Sequence, residues 1–468
     1  MTAGTLPSAL EPYRYLWPRE DLAGSGWKRN GGGAWERVLP ESREALAADS
    51  RWPALFPSPV CLVTAAHGST VVLEREVGAS IVNRFPYVLA LSFCVEGLSE
   101  RHYPRRQFTR VLEDGGRVAV QFLPPGSLLD RALGAIESTS EPETPGRIAR
   151  SGLRTRRALT SGAPVFSDAY LVYEGRLVRP QRDLDGEPIY AQPWLDVGSH
   201  RVYFLEVTTI QLRRDIAEGR SQIHWRSLPA WSPQVVLPAA GGMDEARPGP
   251  GYQKGYTPHY AFPSAGTVAF EADEVNAGMA VKHLPPEAAD QVEVDNDRAR
   301  WPCFFPSSVG MITTWAPDGR PNLMPCGSTT VVSRYPLVIT PCVGYAAINE
   351  RYAPRLTLEL IRANRAFGCG VPFISDQVIA AIKYAGNISM QAAGDKVARA
   401  GLAVEGGGPS PVLTSLPVHF DCQVLDEVRL GTHVMFLGAV TRIRVRPDVS
   451  PANPLEWCPW ADVRPAGD

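Results

Sequence analysis

The sequence predicts a mainly β protein with some α, built as two small closed β barrels in tandem. Three observations predict it. The phrase "RWPALFPSPVCLVT", residues 51–64, returns as "RWPCFFPSSVGMITT", residues 300–314. The repeat then runs on in order: Arg84-Phe85-Pro86-Tyr87-Val88-Leu89 answers Arg334-Tyr335-Pro336-Leu337-Val338-Ile339, and Glu100-Arg101 with Pro104-Arg105 answers Glu350-Arg351 with Pro354-Arg355. Further on, Ile148 to Leu153 answers Val397 to Leu402, and Gly198-Ser199-His200 answers Gly431-Thr432-His433. Thirdly, each copy is made of short β-branched and aromatic runs bounded by Gly, Pro and Asp turns, the signature of a small barrel. The period is far too long for a solenoid.

The elements of the second copy follow in order. Strands are expected at 309–314, 337–343, 367–371, 420–425 and 434–444, with a hairpin-like reversal at Pro317-Asp318-Gly319 after the first. Thr357 is expected to cap a helix reaching to residue 364, whose apolar side is Leu358, Leu360 and Ile361. A second helix is expected over 376–384. The organisation is then an aromatic-rich leader (1–48), a first barrel (49–215), an aromatic-rich linker (216–297), a second barrel (298–447) and a tail (448–468). Trp225, Trp231, Tyr252, Tyr256, Tyr260 and Phe262 make the linker unlike a flexible tether, so it is expected to pack across the barrels.

Bulk properties bound the partners. The chain has 468 residues and 44% hydrophobic content, enough for an ample core. A net charge of −2 offers no global attraction for nucleic acid or anionic lipid, so neither is expected, and a charged ligand needs a local cluster. No stretch approaches the about 18 consecutive apolar residues of a membrane span. The start lacks a basic-then-apolar signal, and the eight Cys are scattered without a Cys-x-x-Cys pair. Reduced thiols filling the core of a cytoplasmic protein are the expectation. The histidines show no paired ligand spacing, so no metal is expected.

Four phrases of the second copy, "GMITTWAPDGRPNLMPCGSTTVVSRYPLVI", "NERYAPRLTLELIRANRAFGCGVP", "GDKVARAGL" and "GTHVMFLGAV", together resemble the flavin reductase-like proteins with the FMN-binding split barrel. The first copy is similar more loosely. The resemblance implies a Greek-key split barrel that works as a dimer with flavin between two barrels. A duplicated chain would then carry both halves as an intrachain pseudo-dimer, as a monomer or a homodimer of such chains. It further implies FMN, or FAD, as cofactor and NAD(P)H as co-substrate, with haem ranked below flavin. Hydride would pass from reduced nicotinamide to flavin and onward to oxygen, a partner oxygenase or a bulky organic small-molecule substrate in a biosynthetic pathway. The alternative is a non-redox ligand-binding or structural split-barrel protein whose flavin sites have decayed.

Under that resemblance, Gly327, Ser328, Thr329 and Thr330 offer amides and hydroxyls to a phosphate, and Arg351 and Arg355 precede the helix of Thr357. Asn322, Ser389 and Lys396 complete the cofactor set. Taken without the resemblance, Ser-Thr-Thr reads as a polar strand edge, the two Arg as surface charges, and Asp395-Lys396 as an exposed helix-end pair. His433, and its counterpart His200, are the catalytic candidates at the nicotinamide or substrate face. A strand His satisfied by a neighbouring carbonyl is the equal alternative. The first copy departs: Val77-Gly78-Ala79-Ser80 stands for Gly327 to Thr330, and Glu74 and Glu76 stand where the second has Met324 and Cys326. A carboxylate near a dianionic phosphate costs binding unless it points away. Arg101 and Arg105 persist, and Ser138-Thr139-Ser140 parallels Asn387-Ile388-Ser389. One flavin site per chain is expected, its phosphate on the second copy and a wall from the first.

Overall fold

A computed structural model of the chain describes residues 27–29, 35–37, 61–75, 78–83, 86–95, 105–115, 117–123, 127–139, 141–182, 188–190, 193–198, 200–214, 221–226, 263–271, 305, 308–334, 337–345, 355–372, 376–416, 418–445 and 460–465. The first barrel contains β1 (Leu62–His67), β2 (Thr70–Arg75), β3 (Gly78–Asn83), β4 (Val88–Cys94), α1 (Arg106–Gly115), β5 (Arg117–Phe122), α2 (Ser127–Glu137), α3 (Arg147–Ser151), β6 (Leu171–Leu177) and β7 (His200–Arg213). The second contains β8 (Ser308–Trp315), β9 (Pro321–Arg334), β10 (Leu337–Gly344), α4 (Leu356–Asn364), β11 (Ala366–Val371), α5 (Asp376–Asn387), α6 (Met390–Ala393), α7 (Lys396–Arg399), β12 (Val418–Leu430) and β13 (His433–Val445).

The strands of the second half run β13-β10-β9-β8-β11-β12 and close where β12 pairs with β13. The first half has the same order, β7-β4-β3, then β2-β1-β5-β6 back to β7, with β2 and β3 together corresponding to the unbroken β9. All pairings are antiparallel. The sequence expectation of two tandem barrels holds. β12 runs past the expected end at residue 425 because its outer part pairs with β13 in a hairpin that closes at Gly431, whose φ is 60°. That outer part carries Asp426 and Glu427, so its polar face hides it from a hydrophobicity pattern.

Two strands explain why the barrels meet. β4 (VLALSFC) and β10 (LVITPCVG) are buried along their whole length. In β4 the alternation sends Leu89, Leu91 and Phe93 into the first barrel and Val88 and Ala90 outward. In β10 it sends Leu337, Ile339 and Val343 inward and Val338 and Cys342 outward. A strand apolar on both faces needs a cover on each. The outward sets meet in a cluster shared by both copies, with Val82, Val202 and Phe204 from the first and Val332, Met435 and Leu437 from the second. Between β3 and β9 the backbones close up: a Cβ on Gly78 would lie 1.9 Å from Val331 O. Ser92 Oγ donates to Val332 O across the same seam (2.5 Å).

The repeated opening phrase also crosses between halves. Phe305, which precedes the second barrel, is buried in the first, with ring centroids 5.3 Å from Tyr173 and 5.6 Å from Phe122. Its N–H donates to the Tyr87 hydroxyl (2.9 Å).

Helix α4 buries Thr357, Leu358, Leu360 and Ile361. The expected cap is corrected: Arg355 is the N-cap residue, with no side-chain capping bond, and Thr357 lies inside the helix. Its hydroxyl is taken by a residue of β9, as described below. Strands outside the barrels come from leader, linker and tail: Trp35–Arg37 pairs with β13, Pro263–Glu271 with β7, and Ser221–Arg226 with Trp460–Pro465. The linker aromatics Trp231, Tyr252, Tyr256, Tyr260 and Phe262 lie outside the described residues. The six described cysteines are buried, and no disulfide joins them to one another. Among the described residues no helix is long and apolar enough to cross a membrane.

Truncating Phe305→Ala should remove about 3–5 kcal/mol of unfolding free energy from the first barrel, a residue of the second phrase notwithstanding. Urea unfolding followed by tyrosine fluorescence measures it, and a loss below about 1 kcal/mol would show the ring to be peripheral.

Candidate functional site

β9 gathers half of the expected cofactor residues, and α4, α5 and α7 pack against it. Asn322, near its start, is buried and donates through Nδ2 to Thr357 Oγ1 (2.9 Å) and Thr314 Oγ1 (3.3 Å). Its amide therefore ties strand to helix. Gly327 and Ser328 are half-buried. Thr329 is buried, and its hydroxyl donates to Cys326 O (2.9 Å). Thr330 is buried at the seam, its Oγ1 about where a Gly78 side chain would touch it (3.0 Å) and without a hydrogen-bond partner among the described residues. Ser389 caps α6, accepting from the Gln391 N–H (3.2 Å). Arg351 lies outside the described residues.

Arg355 and Lys396 come together. Arg355 is held by its N–H, which donates to Gly344 O (3.0 Å), and its guanidinium reaches Gly386 O (3.4 Å). Lys396 opens α7 after Asp395, whose carboxylate caps that turn by accepting from the Ala398 N–H (3.1 Å). Lys396 is 5% exposed, which overturns the surface-pair alternative. Burial, and then the positive charge of Arg355, pull its pKa down to about 7. Among the described residues no carboxylate pairs with it. A buried ammonium beside a guanidinium is the donor set of an anion site, because an anion removes both the repulsion and the desolvation cost.

The first copy carries the same arrangement with two changes, Arg147 for Lys396 and Glu74 for Met324. Arg105, matching Arg355, and Arg147, matching Lys396, both meet the Glu74 carboxylate, at 3.2 Å and 2.5 Å. Glu74 and Arg147 are fully buried. The carboxylate does not point away: it sits against both guanidinium groups.

The histidines differ in their surroundings. His433 opens β13 and its Nδ1 lies 3.0 Å from Asn83 Oδ1 and 3.0 Å from Thr432 Oγ1. Asn83 belongs to the first copy. Its Nδ2 donates to Pro86 O (2.8 Å), which fixes the amide, and Oδ1 also accepts from the Thr432 N–H (3.1 Å) and hydroxyl (2.8 Å). An amide oxygen only accepts, so in neutral His433 the proton sits on Nδ1 and Nε2 is the acceptor. Of the two alternatives for His433, a side-chain amide from the other copy replaces the neighbouring carbonyl. Asn83 is the residue that sequence reasoning missed; its only signal is the substitution by Ser333 at the matching place. His200 is fully buried, and its backbone pairs with Cys94.

The seam itself is filled at its centre by the shared cluster of Val82, Phe204, Val332 and Met435. The cationic pair belongs to the second copy, Arg355 at the start of α4 and Lys396 at the start of α7. Among the described residues no group of three His, Cys, Asp or Glu side chains converges.

A family profile described as the flavin reductase like domain matches residues 54–227 and again 302–461. No curated protein matches the chain. Among solved structures it is similar to flavoredoxin of Desulfovibrio vulgaris (Miyazaki F), with 19% identity over 32% of this chain and 75% of that one and a TM-score of 0.27. It is similar to an FMN-binding protein from Thermus thermophilus with bound p-hydroxybenzaldehyde (16% identity, 29% and 70% covered, TM-score 0.25). A third is nitrilotriacetate monooxygenase component B from Bacillus cereus (14% identity, 35% and 85% covered, TM-score 0.27).

Inorganic phosphate should bind with net proton uptake above pH about 7, because the anion favours the ammonium form of Lys396. Its affinity should fall as pH rises through that range, and Lys396→Met should abolish the uptake. Titration calorimetry in two buffers of different ionisation heat reads the proton count; identical heats in both would refute it.

Proposed function

The chain belongs to the flavin reductase-like family, carrying its domain in both halves, and from that premise we propose a flavin-dependent oxidoreductase with one flavin phosphate site, held by the second half. The observation that carries the reading is Lys396, a buried cation beside Arg355 with no acid to neutralise it among the described residues. A phosphate monoester supplies the missing charge, which favours FMN over FAD. Bound flavin supplies a two-electron carrier for hydride transfer between a reduced nicotinamide and an acceptor.

The chain's own residues divide the remaining work. Lys396 and Arg355 hold the phosphate, with Gly327, Ser328 and Thr330 of β9 as further donors and Arg351 beside them in sequence. Asn322, Thr329, Thr357 and Ser389, already bonded within the protein, fix β9 against α4 and shape the start of α6. His433, its proton placed on Nδ1 by Asn83, presents Nε2 to accept a hydrogen bond or move a proton at the ligand face. His200 is the corresponding group of the first half. NAD(P)H as co-substrate, and oxygen, a partner oxygenase or a bulky organic molecule as acceptor, complete the reading. It takes residues 49–215 and 298–447 as the two halves of a cytoplasmic pseudo-dimer.

A second reading, a non-redox binding or structural protein, draws on one observation: Glu74 already closes the cationic pair of the first copy. The visible spectrum of the purified protein separates the two. A yellow preparation with about one flavin per chain is expected; a colourless protein that resists loading with FMN sinks the redox reading, and a Soret band would put haem in its place. Arg355→Ala should weaken FMN by roughly 1.5–3 kcal/mol if its charged bond to phosphate is made, and an unchanged affinity would mean that the phosphate lies elsewhere.

A further inference from the structure

The two copies put the same three positions at the same points of the fold. Arg105 and Arg355 each precede the helix after a barrel strand, their N–H groups donating to Cys94 O (2.6 Å) and Gly344 O (3.0 Å). Arg147 and Lys396 each open a short helix followed by a glycine of positive φ, Gly152 (62°) as the C-cap of one and Gly401 (72°) just after the Ala400 C-cap of the other. The third position lies on the barrel wall. Glu74 stands opposite Val63, which stands opposite Val120. Met324 stands opposite Ile312, which stands opposite Cys369. The register is the same; the chemistry is not.

In the first copy the tethered carboxylate satisfies both guanidinium groups. The remaining donors of Arg147 go to Thr139 Oγ1 (2.6 Å), Thr139 O (3.1 Å) and Leu73 O (3.3 Å). Arginine suits this place because its fork engages several acceptors at once, which the single ammonium of a lysine does not. In the second copy Met324 brings no charge, and Lys396 has no acid among the described residues.

We infer that Glu74 is a built-in anion that occupies the first copy's version of the cationic site, and that the choice between Glu74 and Met324 decides which half of the chain takes a phosphorylated ligand. The inference rests on the phosphate reading given above. A covalently held carboxylate competes at an effective concentration that a free ligand does not reach. A phosphate entering beside it would also meet a buried like charge.

Exchange of the two residues tests this. Met324→Glu should lower the affinity for FMN and for inorganic phosphate by about 100-fold without lowering the Tm, since the new carboxylate meets Arg355 and Lys396. Met324→Gln, of similar size and uncharged, should keep both affinities within about tenfold of the wild type. Glu74→Met alone leaves Arg147 buried without its acid and can fail to fold. The double variant Glu74→Met, Arg147→Lys copies the second half and should take up a second equivalent of inorganic phosphate in equilibrium dialysis, with a Tm that rises with phosphate concentration. A wild type that binds one FMN while Met324→Glu binds it as tightly overturns this inference alone, as does a folded double variant that takes up no second phosphate. A wild type that binds neither probe overturns the phosphate reading and takes this inference with it.

Discussion

The two halves are brought within backbone distance of each other where Gly78 faces Val331 O, and no side chain fits between them. Much else follows from that approach. It sets β3 against β9, lets Ser92 reach Val332 O, and carries Asn83, five positions on, to the turn before His433. The orientation of a histidine in one barrel is thus decided by an amide in the other. Because the packed seam is continuous with both barrel interiors through β4 and β10, neither half can shift without disturbing a core.

Fusion changes what such a pair can become. Two identical protomers related by a two-fold axis must carry the same residue at every equivalent point. A tandem chain is released from that rule, and the positions that matter have parted: Glu74 from Met324, Arg147 from Lys396, Asn83 from Ser333, Tyr87 from Leu337. In each case the first copy has a residue that bonds within the protein, whereas the second has apolar Met324 and Leu337, the shorter Ser333, and a lysine without a carboxylate partner among the described residues.

The barrels were legible in the sequence because strand alternation and turn residues are local, and because the repeat offered each pattern twice. Lys396 was legible only through resemblance; nothing local distinguishes a lysine at a buried helix start from one on the surface. Glu74 was visible as an acid standing where the second copy has Met324, yet its partner Arg147 lies 73 positions away, and only the folded barrel joins them. Asn83 and Phe305 escaped for the same reason, since each acts on the opposite copy. Thr357 shows the converse error: the local rule for a helix cap was sound, but Asn322 of β9 competes for the same hydroxyl.

The insertion of Phe305 has a consequence for how the protein is made. During synthesis the first barrel emerges from the ribosome with its ring cluster of Tyr87, Phe122 and Tyr173 unfinished, and it must wait for the whole linker to be translated before the missing aromatic arrives. The last ring of the first barrel's core is thus translated only after the linker, and until then the apolar surface it covers is exposed on the nascent chain.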